Sequence, residues 1–177
     1  MKGALLIGLM GIWSVALAED KYPSGMTILE TPKSGKMQVV TGNKAEMHVA
    51  REPASTFKVV IAWAALDQGL VQDVETSLKG VDSLGLRQSL QKSINPPFAL
   101  LAEKMGEEIL GEYAERSGLI EGKILKSWMK AGGREAVHGG DLKTTLRREH
   151  SMAVGWMRGT EPWNGEVGKK LQEALVW

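Results

Sequence analysis

Pro53-Ala54-Ser55-Thr56-Phe57-Lys58 places a serine hydroxyl and a lysine amine three residues apart, at a point where a helix is expected to begin. Side chains with this spacing share one face of a helix, so the amine can accept the hydroxyl proton while the hydroxyl oxygen attacks a carbonyl carbon. The stretch therefore predicts a serine acyl-transfer site, with Ser55 as the nucleophile and Lys58 as the base.

The residues after Lys58 favour this chemistry, because a continuous apolar run from Val59 to Leu66 follows and Gly69 ends it. A helix that is apolar on every side is expected to be buried, and burial disfavours the charged form of lysine. Bringing the pKa of a lysine from about 10.4 to near neutrality takes about 4 kcal/mol, which a surface helix cannot supply. The alternative is that Ser55 caps the helix and Lys58 extends to water.

The spacing Ser-x-x-Lys occurs twice more, as Ser89-Leu90-Gln91-Lys92 and Ser127-Trp128-Met129-Lys130. Only Ser55 follows a proline and a strand-rich stretch, and only Lys58 leads into a long apolar run. Context therefore selects the first of the three.

The first 18 residues are typical of a secretory signal peptide, with Lys2, an apolar stretch from Ala4 to Leu17, and the small-x-small site Ala16-Leu17-Ala18. A membrane anchor is the alternative, although the stretch is shorter than the roughly 20 residues that a span needs. Cleavage leaves residues 19–177, enough for one domain with a core. We therefore expect an exported protein, periplasmic or secreted, without a transmembrane anchor after cleavage.

Composition narrows the classes of partner. Without the signal, the chain carries 21 basic and 21 acidic residues, since Lys2 is the one charged residue removed. A formal charge of zero gives no attraction to nucleic acid, so the expected partner is a small molecule or a peptide.

The absence of cysteine excludes disulfides and thiolate catalysis. His48, His138 and His150 lack metal-ligand spacing, so no metal site is predicted.

The order of predicted elements indicates an α+β fold, in which an antiparallel sheet packs with helices and the serine helix lies against the sheet. A hairpin is predicted around the turn Pro32-Lys33-Ser34-Gly35, and its second strand is expected to continue through 45–50. The predicted elements are strands at 26–30, 37–41 and 151–157, and helices at 84–92, 98–113 and 166–177, besides the serine helix.

Between two of these helices, Pro96-Pro97 marks a connection. Proline disfavours a helical conformation in the residue before it, so Asn95 is expected to be extended. The tripeptide Ser93-Ile94-Asn95 can then direct polar side chains into a cleft. The alternative is that Ser93 ends a helix and Asn95 belongs to an ordinary turn.

Two of these motifs together resemble the penicillin-recognising serine enzymes. The segment 53–58 is similar to the start of the serine helix in class D beta-lactamases, Pro-x-Ser-Thr-Phe-Lys, and Ser93-Ile94-Asn95 resembles the Ser-x-Asn of many penicillin-binding proteins. The resemblance implies a beta-lactamase/transpeptidase-like fold, here with a reduced helical region. It also implies that Ser93 relays a proton to the leaving nitrogen and that Asn95 contacts the substrate.

A third family motif, Lys-Thr-Gly or Lys-Ser-Gly on a strand that lines the cleft, has its nearest counterpart in Lys143-Thr144-Thr145. The resemblance implies that Lys143 and Thr144 bind a substrate carboxylate, and that a backbone donor near Leu146 completes an oxyanion hole with the amide of Ser55. Thr145 replaces a glycine and is expected to crowd the cleft. A plain surface strand is the alternative.

The function that these residues imply is acyl transfer to Ser55 from a beta-lactam, with hydrolysis as in class D enzymes. One alternative is a non-hydrolysing penicillin-binding or sensor domain that recognises a beta-lactam or a peptidoglycan stem peptide, and another is an exported structural domain without chemistry. No cofactor is expected beyond the CO2-derived carbamate that the class D resemblance raises for Lys58. The family's Trp-Leu-x-Gly loop is replaced here by Leu119-Ile120-Glu121-Gly122.

Overall fold

The computed structural model describes residues 27–30, 37–41, 44–79, 84–120 and 142–175. The predicted signal peptide, residues 1–18, lies outside the described residues, as do the turn at 32–35 and the Ser-x-x-Lys at 127–130. The chain divides into two compact units, Met1–Val49 and Ala50–Trp177.

The first unit contains the predicted hairpin. Strands β1 (Thr27–Glu30) and β2 (Met37–Thr41) pair antiparallel, with an irregularity in the register after Thr27. The expected continuation of the second strand is wrong, because Lys44–His48 forms a short 3-10 helix. This segment reads Lys-Ala-Glu-Met-His and has no β-branched residue, so its composition favours helical over extended backbone. The packing of a sheet against the helices stays a prediction.

Five α-helices are described in the second unit. A 3-10 turn at Ala54–Thr56 leads directly into the first of them. The helices are α1 (Phe57–Asp67), α2 (Leu86–Gln91), α3 (Pro96–Arg116), α4 (Leu146–Arg158) and α5 (Glu166–Leu175).

Helix α1 lies at the centre of the core, and its residues 57–66 are all buried. It packs against α3 and α5. The ring of Trp63 meets Tyr113 edge-on at 4.9 Å and Trp163 at 4.3 Å between centroids, and the guanidinium of Arg116 lies over the Trp63 ring. The prediction that the apolar run forms a buried helix is confirmed.

The end of α1 follows from Gly69, whose φ is +68°. The amide of Gly69 donates to Leu66 O at 3.2 Å, and that of Leu70 donates to Ala65 O at 2.9 Å. This pair of bonds is the Schellman motif, in which the residue after the helix adopts the left-handed conformation that glycine takes at little cost.

Helix α3 begins at the two prolines, which suit a first helical turn because its amides need no intrahelical partner. The expectation that Asn95 is extended is wrong, since its φ of −82° and ψ of −45° are helical. Its carbonyl accepts the amide of Ala99 at 3.0 Å, the first bond of the helix, and this contact outweighs the steric preference before proline. The helix is interrupted at Gly106, where φ is 76°.

The predicted strand at 151–157 is also wrong, because this segment lies within α4. Local signals define that helix: the Thr145 hydroxyl accepts the Arg148 amide at its start, and Gly159 adopts φ +60° after its end. The predicted closing helix is present as α5, with Leu171 and Ala174 fully buried. No helix in the described ranges is both long enough and apolar enough to cross a membrane.

Candidate active site

Ser55 and Lys58 lie on one turn at the entrance to the buried helix. Ser55 belongs to the 3-10 turn that precedes α1, and Lys58 is the second residue of α1. Lys58 Nζ is 3.2 Å from Ser55 Oγ. The predicted spacing thus brings the two reactive atoms within hydrogen-bond distance.

Ser93 reaches the same place from the connection between α2 and α3. Its Oγ is 2.8 Å from Lys58 Nζ and 3.1 Å from Ser55 Oγ, and its carbonyl oxygen is 2.9 Å from Lys58 Nζ. We call these three residues the serine–lysine cluster. Its members come from two segments of the second unit that are 35 residues apart.

The bonding capacity of the lysine restricts how the cluster is arranged. A neutral amine has two N–H donors and one lone pair, and the carbonyl of Ser93 can only accept. One donor therefore goes to this carbonyl. The other donor and the lone pair remain for the two hydroxyls, so the amine can accept a proton from one of them while it donates to the other.

Burial acts on the charge of this amine. The Lys58 residue is 2% exposed, and desolvation lowers the pKa of its amine below the ordinary lysine value. Within the described part of the chain, no ion pair with a carboxylate opposes this effect. The shift has the direction that a general base requires, because it increases the neutral fraction at a given pH.

The two hydroxyls are more accessible than the amine between them. Ser55 is half-buried, whereas Ser93 and Asn95 are exposed. Asn95 does not use its side chain to cap α3. Solvent therefore reaches the two hydroxyls, while the Lys58 side chain is buried.

Backbone strain is concentrated next to the reactive atoms. Ala54, directly before Ser55, has φ +47°, and Ser93 has φ +52°. They are the residues other than glycine with positive φ in the described ranges. Such conformations cost on the order of 1–3 kcal/mol each and are typical of sites where geometry serves chemistry.

The Lys143-Thr144-Thr145 segment has a different environment from the one expected. Thr144 forms an isolated antiparallel bridge with Arg51, and its buried hydroxyl donates to Leu119 O at 2.5 Å. Lys143 is exposed and pairs with Glu52 at 3.3 Å. The expected strand through this segment is therefore reduced to one bridge, because helix α4 begins immediately afterwards.

Thr145 and Leu146 belong to that helix start, where the Thr145 hydroxyl is the cap and Leu146 is the first residue. No described contact joins residues 143–146 to the serine–lysine cluster. Their assignment to the substrate carboxylate and the oxyanion hole stays a prediction, as does the substrate contact of Asn95.

A carbamate on Lys58 stays a prediction. Its nitrogen would keep one N–H for the Ser93 carbonyl, and the hydroxyls of Ser55 and Ser93, which lie within 3.2 Å of Nζ, could donate to its oxygens.

Comparison with known proteins places the chain in a family. The family described as penicillin binding protein transpeptidase domain matches residues 25–131, more than half of the chain. The chain belongs to this family. The match includes the serine–lysine cluster and Asn95. Among curated proteins, no sequence matches the chain.

Several solved structures with the same fold are class D beta-lactamases. The enzyme from Fusobacterium nucleatum subsp. polymorphum is 18% identical with a TM-score of 0.66, over 82% of this chain and 62% of that one. The enzyme from Bacillus subtilis is 18% identical with a TM-score of 0.69, over 85% of this chain and 65% of that one. The enzyme from Nostoc is 18% identical with a TM-score of 0.66, over 86% of this chain and 67% of that one. The chain thus spans about two thirds of the length of these relatives.

Sequence reasoning missed two contributions to the cluster. The first is the carbonyl of Ser93 as an acceptor for Lys58, and the second is the positive φ of Ala54. The position of Ser93 at the end of a predicted helix was a usable signal for the first. Nothing in the sequence distinguishes Ala54 from an ordinary helix-start alanine.

Proposed function

We propose that this protein is a serine acyl-transfer enzyme that opens beta-lactams through a covalent ester on Ser55 and releases the product by hydrolysis. The observation that carries the proposal is the serine–lysine cluster, in which a buried amine of lowered pKa lies within 3.2 Å of two accessible hydroxyls. The membership in the transpeptidase family and the fold shared with class D beta-lactamases support it.

In the acylation step, Ser55 Oγ attacks the lactam carbonyl carbon while neutral Lys58 Nζ accepts the hydroxyl proton. A carbon–oxygen bond forms, and the carbonyl electrons move onto oxygen as a tetrahedral oxyanion. Preorganised backbone donors stabilise such an oxyanion. The ammonium formed at Lys58 has the Ser93 carbonyl and hydroxyl as acceptors.

Collapse of the oxyanion breaks the carbon–nitrogen bond of the lactam. Ser93 Oγ donates its proton to the leaving nitrogen and regains one from the Lys58 ammonium, which returns the amine to its neutral state. The cycle restores both groups without another reactant. Water can then attack the ester with Lys58 again as base, releasing the opened acid and regenerating Ser55.

The second candidate is a penicillin-binding or sensor domain that forms the same ester and keeps it. The Ser-x-Asn form of the second motif and the family description favour this candidate. In that case the natural partner is a peptidoglycan stem peptide. In both cases, we propose that the protein acts after export, in the periplasm or outside the cell.

Intact-mass spectrometry during incubation with benzylpenicillin tests the proposal. We expect the mass of one penicillin to be added to the wild type and then lost as hydrolysed product accumulates. Ser55→Ala should carry no adduct, whereas Ser89→Ala should behave as the wild type, because Ser89 belongs to the second Ser-x-x-Lys but is fully buried. A persistent adduct would select the binding protein, and a wild type that neither carries an adduct nor releases hydrolysed penicillin would reject both candidates.

A further inference from the structure

Helix α2 ends in the same hydrogen-bond pattern as helix α1. The amide of Ser93 donates to Leu90 O at 3.0 Å, and the amide of Ile94 donates to Ser89 O, also at 3.0 Å. These bonds span the same residue offsets as those made by Gly69 and its successor at the end of α1. Both helices therefore end in a Schellman motif.

The two motifs differ in the residue that occupies the left-handed position. At the end of α1 it is Gly69, with φ +68°, and at the end of α2 it is Ser93, with φ +52°. A side chain in this conformation brings Cβ close to the following backbone, whereas glycine avoids the contact. Serine at this position therefore lowers the stability of the fold relative to glycine.

The left-handed turn has a chemical consequence at Ser93 and none at Gly69. It directs both the carbonyl and the hydroxyl of Ser93 toward one atom, Lys58 Nζ, at 2.9 and 2.8 Å. The carbonyl takes one N–H of the neutral amine and so fixes the direction of its lone pair. A residue with ordinary helical or extended backbone at this point would direct its carbonyl elsewhere.

We propose that Ser93 is a positioning residue through its backbone as well as a proton carrier through its hydroxyl. The strained end of α2 holds the Lys58 amine in its reactive orientation, and glycine is the more stable residue there. This inference rests on the proposed function, because orientation of the amine matters only if Lys58 is the base.

The strain is tested by comparing alanine with glycine at both helix ends. At position 69 an added Cβ meets no atom within 4 Å, so Gly69→Ala measures the backbone cost alone. We expect the unfolding equilibrium constant of Ser93→Gly to be about fivefold smaller than that of Ser93→Ala, because glycine avoids the strain. For the same reason, the unfolding equilibrium constant of the wild type should be about fivefold smaller than that of Gly69→Ala. If Gly69→Ala loses stability as expected but the two Ser93 variants are equally stable, the claim that the backbone is strained at position 93 is wrong.

The positioning role is tested by the pH profile of single-turnover acylation with benzylpenicillin. Ser93→Gly and Ser93→Ala lose the hydroxyl but keep the carbonyl contact, so their rates should fall at least roughly tenfold while the pH of half-maximal rate stays near that of the wild type. Ile94→Pro biases Ser93 toward extended backbone and removes the Ile94 amide. Its half-maximal pH should fall, because the carbonyl also accepts from the Lys58 ammonium and its loss makes the charged amine less stable.

Thermal unfolding first establishes that Ile94→Pro is folded. A folded Ile94→Pro protein with an unchanged pH profile would overturn the positioning role. If Ile94→Pro does not fold, Ser93→Gly decides the matter, since a large displacement of its pH profile would show that the hydroxyl, and not the carbonyl, sets the state of Lys58. A wild type that forms no adduct and no hydrolysed penicillin would reject the proposed function. The stability comparison of the alanine and glycine variants does not depend on acylation, so it would still test the strain at Ser93.

Discussion

The serine–lysine cluster and the Lys143-Thr144-Thr145 segment were both identified by short motifs, yet the structure uses their polar groups in opposite ways. In the cluster, the buried amine of Lys58 contacts the hydroxyls of Ser55 and Ser93, which are half-buried and exposed, respectively. In the other segment, the hydroxyl of Thr144 donates to a buried carbonyl. The comparison teaches that residue types nominate a site, whereas the partners of their polar atoms decide whether those atoms are available to a substrate.

The two regions also differ in the ionisable group that each buries. Burial lowers the pKa of Lys58 in the cluster. In α4, directly after the Lys143-Thr144-Thr145 segment, burial raises the pKa of Glu149 to about 7, although Arg51 opposes the shift. Each group is thereby biased toward its neutral form.

The largest expected effect comes from removing the base. Lys58→Met replaces the amine with an apolar side chain of similar length, so the fold should be retained while acylation by benzylpenicillin slows by roughly 10²- to 10⁴-fold. The matched control is Lys92→Met, since Lys92 belongs to the second Ser-x-x-Lys but is exposed. Stopped-flow measurement of acylation rates compares the two. If Lys58→Met is acylated at a rate within tenfold of the wild-type rate, Lys58 is not the base, and the cluster does not differ from the Lys143-Thr144-Thr145 segment in containing one.

The pH dependence of stability is expected to carry a contribution from Glu149. Between the ordinary glutamate pKa and about 7, the folded state binds a proton that the unfolded state has lost, so this group makes stability fall as pH rises through that window. The fall amounts to about 3 kcal/mol at most. Lys58 acts with the opposite sign, raising stability as pH increases from its lowered pKa toward about 10.4.

Denaturant midpoints for wild type and Glu149→Gln, measured from pH 4 to 8, isolate this contribution. The variant should lack the decline that wild type shows toward pH 8, because glutamine does not ionise. Parallel curves for the two proteins would mean that Glu149 titrates normally and that only the cluster contains a perturbed group.

A smaller effect is expected from Thr144→Val. The substitution leaves the carbonyl of Leu119 without its hydroxyl donor in a buried position, which should lower stability by about 1–3 kcal/mol. Thr145→Val, which removes the helix cap, should lower it by about 1 kcal/mol. Both proteins should acylate within twofold of the wild-type rate. A Thr144→Val protein of unchanged stability that acylates tenfold more slowly would instead favour the substrate role.

The smallest effect is expected at the exposed pair of Lys143 and Glu52. Breaking it with Lys143→Met or Glu52→Gln should change stability by under about 1 kcal/mol, as is usual for solvent-exposed ion pairs. The pair also separates two roles for Lys143. If Lys143 binds the substrate carboxylate, Lys143→Met should raise the penicillin concentration for half-maximal acylation, whereas Glu52→Gln should not. If this concentration is the same for the two variants, Lys143 serves only in the ion pair.

The sequence predicted those parts of the fold and site that depend on local signals. The apolar run after Lys58 and the turn at Gly69 determine α1 and its end, and both were predicted. The meeting of Ser93 with Lys58 was supplied by the family resemblance, because two segments 35 residues apart share no local pattern. The left-handed backbone of Ser93 could not be predicted, since serine rarely adopts it.

Errors arose where several short-range signals competed. Large apolar residues at every second position, Met152, Val154 and Trp156, favoured a strand, but the Thr145 cap and Gly159 define a helix that buries Met152. Asn95 followed its contact with Ala99 rather than the steric rule for residues before proline. The hydrogen-bond partners of the Lys143 segment lie too far away in sequence to be inferred, and its substrate role stays a prediction.

Titration of Lys58 tests the central claim most directly. Carbon-13 labelling of lysine Cε, with Lys58 assigned by comparison with Lys58→Met, allows its ionisation to be followed by NMR in the unreacted protein. The account predicts a pKa clearly below the roughly 10.4 of an ordinary lysine. A Lys58 pKa at that ordinary value would contradict it, because an amine that stays protonated cannot take the proton from Ser55.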